Sequence, residues 1–112
     1  MIEKTIKDYL SKCLAPISVT LERPADAPET YVLIDKTGSS LQNGVRTASI
    51  AVQSCAPSLY GAAVLNEIVI EDMLRITQLD SVSACILDSD YNFTNTTTKQ
   101  YRYQAVFDVT YI

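Results

Sequence analysis

From Tyr101 onward every second residue is aromatic or apolar, through Tyr103, Ala105, Phe107, Val109 and Tyr111, while Arg102, Gln104, Asp108 and Thr110 fill most of the alternate positions. Side chains of a strand point to its two faces in turn, so this pattern predicts a long strand with one buried face. The chain opens with a different period. Ile2, Ile6, Tyr9, Leu10 and Cys13 recur at helical spacing, and Glu3, Lys4, Lys7, Asp8 and Lys12 fall mainly elsewhere, which predicts an amphipathic helix from Ile2 to Leu14. Pro16 bars its continuation. Ile17, Val19 and Leu21 then alternate with Ser18, Thr20 and Glu22 as a first strand.

Arg23 to Glu29, with Pro24 and Pro28, reads as a loop, because proline lacks a donor and pushes the residue before it toward extended geometry. Tyr31 to Asp35 is a short β-branched strand. Gly38-Ser39-Ser40 and Asn43-Gly44 mark a longer turn, and Val45 to Cys55 returns as a strand, so the middle of the chain is a hairpin with a polar, exposed tip. Pro57 suits the first turn of a second helix capped by Ser58 or Ala56 and running from about Ser58 to Thr77. Glu67, Glu71, Arg75 and Gln78 form its polar stripe, and Glu71 and Arg75 are spaced for an ion pair one turn apart. The apolar arc around that stripe is wider than one sheet face requires. It either meets a neighbouring subunit or sinks between sheet and loops. Val82, Ala84 and Ile86 open another strand, and a polar loop from Asp88 to Gln100 precedes the last one. The expected fold is a single α+β domain over residues 1–112, ordered α-β-β-β-α-β-β, with a mostly antiparallel sheet packed against two helices.

Composition narrows the classes of activity. A chain of 112 residues can bury one core, and 47% hydrophobic with 20% charged residues excludes disorder as the main state. The net charge of −4 and the scattered Lys and Arg argue against general nucleic-acid binding, which rests on clustered cations. No apolar run reaches the roughly 18 residues that span a bilayer, and Met1-Ile2-Glu3-Lys4 lacks the apolar core of a signal peptide, so a cytosolic protein is expected. Cys13, Cys55 and Cys85 are odd in number and far apart, which suggests buried free thiols rather than a disulfide framework or a zinc knuckle. Two glycosylation-type triplets, Asn92-Phe93-Thr94 and Asn95-Thr96-Thr97, need a secretory route that the sequence does not indicate.

The chain contains no histidine, which removes every Ser-His or Cys-His nucleophile. Asp88 and Asp90 have neither a matched acidic partner nor a basic clamp for carboxylate catalysis. Asp88-Ser89-Asp90-Tyr91-Asn92 imitates the start of a calcium loop, but Phe93 stands where glycine is needed and Lys99 where a bidentate glutamate is needed. Gly38-Ser39-Ser40 lacks the lysine of a phosphate-binding loop. Seven tyrosines could stack on single-stranded nucleic acid, yet Tyr31, Tyr101, Tyr103 and Tyr111 fall at strand positions where packing is the simpler use. The expectation is a non-enzyme with no catalytic residues, metal, cofactor or small-molecule substrate.

Four blocks carry a resemblance: Pro28 to Gly38; Ser54 with Ser58 to Glu67; Asp88 to Thr94; and Tyr101 to Tyr111. Together they resemble the small tail-terminator or tail-completion proteins of siphophages and prophages. The resemblance implies an α/β subunit of the virion tail, built in the host bacterial cytoplasm. Such subunits assemble as a ring, usually a hexamer, on the tail tube, ending its polymerisation and presenting the surface that joins the head. Its partners would be further copies of itself, the major tail-tube protein and the head-tail connector. On segment chemistry, Tyr60, Val64, Ile70 and Leu74, together with edge residues of the last strand, are the expected subunit contact. Lys36, Ser39, Ser40, Leu41, Gln42 and Asn43 are the expected hairpin tip facing the tube or lumen. The alternatives are a head-closure or neck protein and a small non-enzymatic α/β binding module.

Overall fold

The computed structural model describes residues 1–23 and 25–112. Pro24, one of the two prolines read as loop-forming, lies outside the described residues. The elements follow the expected order: α1 (Ile2–Leu14), β1 (Ser18–Thr20), β2 (Tyr31–Gln42), β3 (Val45–Ala56), α2 (Leu59–Leu74), a 3-10 turn (Ile76–Gln78), β4 (Val82–Asn92) and β5 (Tyr101–Tyr111). The strands form one sheet in the order β1-β2-β3-β5-β4, with β1 parallel to β2 and every other pair antiparallel. The last strand thus sits inside the sheet, paired on both sides by β3 and β4, so it has no free edge to give to the expected subunit contact.

Both helices cover the same sheet face. α1 lies over β1 and β2, and α2 lies over β3, β5 and β4. Register explains the core: Ile34 pairs with Val52 and Val52 with Ala105, while Ile50 pairs with Phe107 and Ala48 with Val109, so the rows meet the helices together. Ile6 and Leu10 of α1 and Leu65, Val69 and Met73 of α2 fill the other side. The Tyr9 hydroxyl donates to the Asp72 carbonyl at 2.7 Å and ties α1 to the end of α2.

Several expectations need correction. Cys13 is exposed, although its spacing placed it with the buried face of α1; Leu14 is buried in its place, and Cys55 is buried while Cys85 is half-buried. Gly38-Ser39-Ser40 is not a turn but part of β2, where a bulge between Lys36 and Gly38 absorbs one residue. The reversal is confined to Asn43 and Gly44, both with positive φ (53° and 78°), the two-residue geometry that Asn-Gly favours. Ser58 is the cap of α2, its Oγ accepting from the Gly61 amide at 3.0 Å, so Pro57 lies before the helix and not in its first turn. The helix ends at Leu74, and Ile76 to Gln78 is a separate 3-10 turn. β4 continues through Asp88 to Asn92, which shortens the expected polar loop. Bulges after Val82 and after Leu87 also shift its face assignments, leaving Ile86 63% exposed.

Candidate assembly surface

α2 buries Ala62, Leu65, Asn66, Val69 and Met73 against the sheet. At about 100° per residue the opposite side carries Tyr60, Val64, Glu67, Glu71 and Leu74. Of the residues expected to form a subunit contact, Tyr60 (81% exposed), Val64 and Leu74 do lie on that outer face. Ile70 does not: it is half-buried and packs against the core. Ile68, 44% exposed and one turn after Val64, is the residue the sequence reading missed. The i, i+4, i+8 spacing of Tyr60, Val64 and Ile68 was the available signal.

Tyr60, Val64 and Ile68 form one wall of an open, mainly apolar groove of about 440 Å³, whose other wall includes Ile17, Thr30 and Pro57. Glu67 and Glu71 rise beside it on the same helix. Glu71 meets Arg75 at 3.8 Å in the expected exposed pair, whereas Glu67 has no ion-pair partner among the described residues. A pair so exposed adds little stability.

The hairpin forms a second unusual surface. Every residue from Asp35 to Arg46 is exposed although the strands are regularly paired, because the hairpin runs on past the helices, of which only the first turn of α1 borders its near side at Lys36 and Arg46. β1 pairs only with Tyr31 to Leu33, so the remaining outer edge of β2 is open. The six expected tip residues divide here. Ser40 to Asn43 are at or near the turn, while Lys36 lies well down the arm, where its Nζ is 3.9 Å from the Glu3 carboxylate. Lys36, Ser39, Leu41 and Arg46 share the helix-side face, next to Tyr111, and line a shallow groove of about 300 Å³. Leu41 is 66% exposed.

The helix-free face of the sheet differs from both. Gln53 donates to Gln104 at 2.9 Å, Gln104 donates to the Tyr91 hydroxyl at 2.5 Å, and Arg102 reaches Gln53 at 3.4 Å while its Nε donates to the Phe93 carbonyl at 3.0 Å. The Arg102 guanidinium also stacks 5.0 Å from the Phe93 ring centre. Polar groups here are satisfied by one another. Asp88 to Asn92 lie along extended β4, so they cannot wrap an ion as a calcium loop does. At the end of the sheet, Arg23, Lys99 and Arg102 border a cleft of about 230 Å³ with Tyr31 and Tyr101. Tyr31 is buried, and burial raises the pKa of its phenol.

Neither a family model nor a curated protein matches this chain. No helix among the described residues is long and apolar enough to cross a membrane.

Proposed function

We propose that this protein is a structural assembly subunit that closes into a ring, in the manner of a tail terminator: it caps a phage tail tube, stops its growth and offers the head-joining surface. The observation that carries this reading is the apolar outer stripe of α2. A helix that has already buried one face in its own core has no folding reason to display Tyr60, Val64 and Ile68 along another. A heterologous contact, in which this surface meets a different surface of the next copy, makes a ring when its rotation closes. The resemblance of the four sequence blocks supplies the tail setting.

The test is the absolute mass in solution over a concentration range, with and without purified tail-tube protein, together with tube length by electron microscopy. The expected result is a hexamer, alone or on the tube, and tubes that stop growing. Tubes that lengthen unchanged while the protein stays free in solution would overturn the reading.

The cationic cleft favours a second reading, a binding module for a small anion. Arg23, Lys99 and Arg102 gather there against a single carboxylate, Glu29, although the chain as a whole is acidic. A monomer that ignores the tube and gains thermal stability with phosphate or carboxylate ligands would support that alternative.

A further inference from the structure

We infer that the two exposed surfaces are partners: the helix-side face of the hairpin arm in one copy packs on the outer face of α2 in the next. The inference rests on the ring proposed above but assigns the arm to a second copy of this chain instead of the tube.

Both surfaces lack the layer that the fold elsewhere provides. Over most of the sheet, the face that carries Ile50 and Phe107 is covered by α1 and α2; beyond Lys36 the first turn of α1 borders only the near side, at Arg46 and the half-buried Tyr111, and the same face continues through Ser39 and Leu41 with no helix on it. α2, in turn, has its inner side against a sheet and its apolar outer stripe against none. Helices and sheets bury their apolar faces on one another, so a helix from one copy on the bare sheet end of the next completes both layers. Chemistry matches as well as shape. The arm presents Leu41, beside the half-buried Tyr111 of β5, with Arg46, which has no ion-pair partner among the described residues, and with Lys36, held only loosely by Glu3. The helix presents Val64 and Ile68 with Glu67, also without an ion-pair partner among the described residues, while Glu71 is already shared with Arg75. An apolar centre with opposite charges beside it fixes register and suppresses wrong pairings.

The two surfaces are also separate in the molecule. The α2 groove lies by the end of β3 and the start of β2, while the arm is the other end of the same β2–β3 pair, in a domain 44 Å along its longest axis. One copy cannot satisfy itself, and the contact is head-to-tail as a ring requires. The open edge of β2 is unsuited to simple strand addition between copies because the bulge at Lys36 breaks its line, and β4 has two bulges of its own. Side-chain docking on a face remains.

The experiment mixes Leu41→Cys protein with Ile68→Cys protein, both in a Cys13→Ser background, and measures disulfide-linked dimer under mild oxidation. Linked dimer in the mixture, well above either variant alone, is expected. A second arm uses charge reversal: Arg46→Glu should weaken self-association about tenfold and Glu67→Arg in the same chain should restore it, a rescue that a folding defect would not give. Wild-type rings with no mixed crosslink and no rescue overturn the arm-to-helix contact while leaving the ring standing. Crosslink and rescue without any effect on tube length keep the contact and overturn the tail-capping role. Protein that stays monomeric and uncrosslinked at every concentration, with the tube present, overturns the contact; tube length then still reports separately on capping.

Discussion

Individual residues here answer to backbone geometry and burial more than to type. Gly38 and Gly44 look alike in sequence, yet only Gly44 has a positive φ, and a Cβ added at Gly38 would meet nothing within 4 Å. Gly44→Ala should therefore lose about 1–2 kcal/mol in urea denaturation, while Gly38→Ala should be neutral or slightly stabilising. The cysteines divide in the same way. Cys13 is exposed and should react with a thiol reagent at neutral pH, while Cys55 and Cys85 stay protected until the protein unfolds. Burial, with Asp108 nearby, pushes the Cys85 thiol up to about 11 from an ordinary value of 9. The folded state favours the protonated thiol, so its contribution is complete below pH 9 and fades as pH rises from 9 toward 11. Cys85→Ala should flatten that part of an alkaline unfolding curve.

Elements with a clean period had legible bounds: α1 and β5 start and end where their periodicity gave, because nothing interrupts the count, although on α1 the buried face takes Leu14 and not Cys13. β4 was only half legible. Its first bulge resets the alternation, so Ile86 leaves the face that simple counting assigns and Cys85 and Leu87 take the core side; the second bulge restores the count, and Asp90 accepts from the buried Asn66 at 3.2 Å on the helix side. Glycine and serine at 38–40 carried a turn signal that strand pairing overrode. On α2 the existence of an outer contact face was readable, but separating Ile70 from Ile68 required knowing which way the helix rolls onto the sheet. That distinction can be measured. Ile68→Lys should leave thermal stability nearly unchanged and reduce oligomer mass. Ile70→Lys should lower stability by about 1–3 kcal/mol through a charge placed beside the core.

At the scale of the whole molecule, one sheet face does the folding and both ends of the β2–β3 pair are left for something else. Phe107 sits at the centre, fully buried between Ile50 and Leu87 in register, and Phe107→Ala should cost roughly 3–5 kcal/mol by calorimetry. The order β1-β2-β3-β5-β4 has a temporal meaning too. β5 is the last of the five strands to leave the ribosome, and it alone joins β3 to β4. Until it arrives, the nascent chain holds a β2–β3 hairpin with one bare central edge, a second helix with only the β3 part of its floor and a β4 with no neighbour. Pairing β3 with β5 brings together residues as distant in the chain as Arg46 and Tyr111, a closure of high contact order that slows folding. The outer stripe of α2 is therefore set in its final orientation only once β5 has paired, which in the proposed assembly makes insertion of this strand a natural clock for when copies can begin to recognise one another.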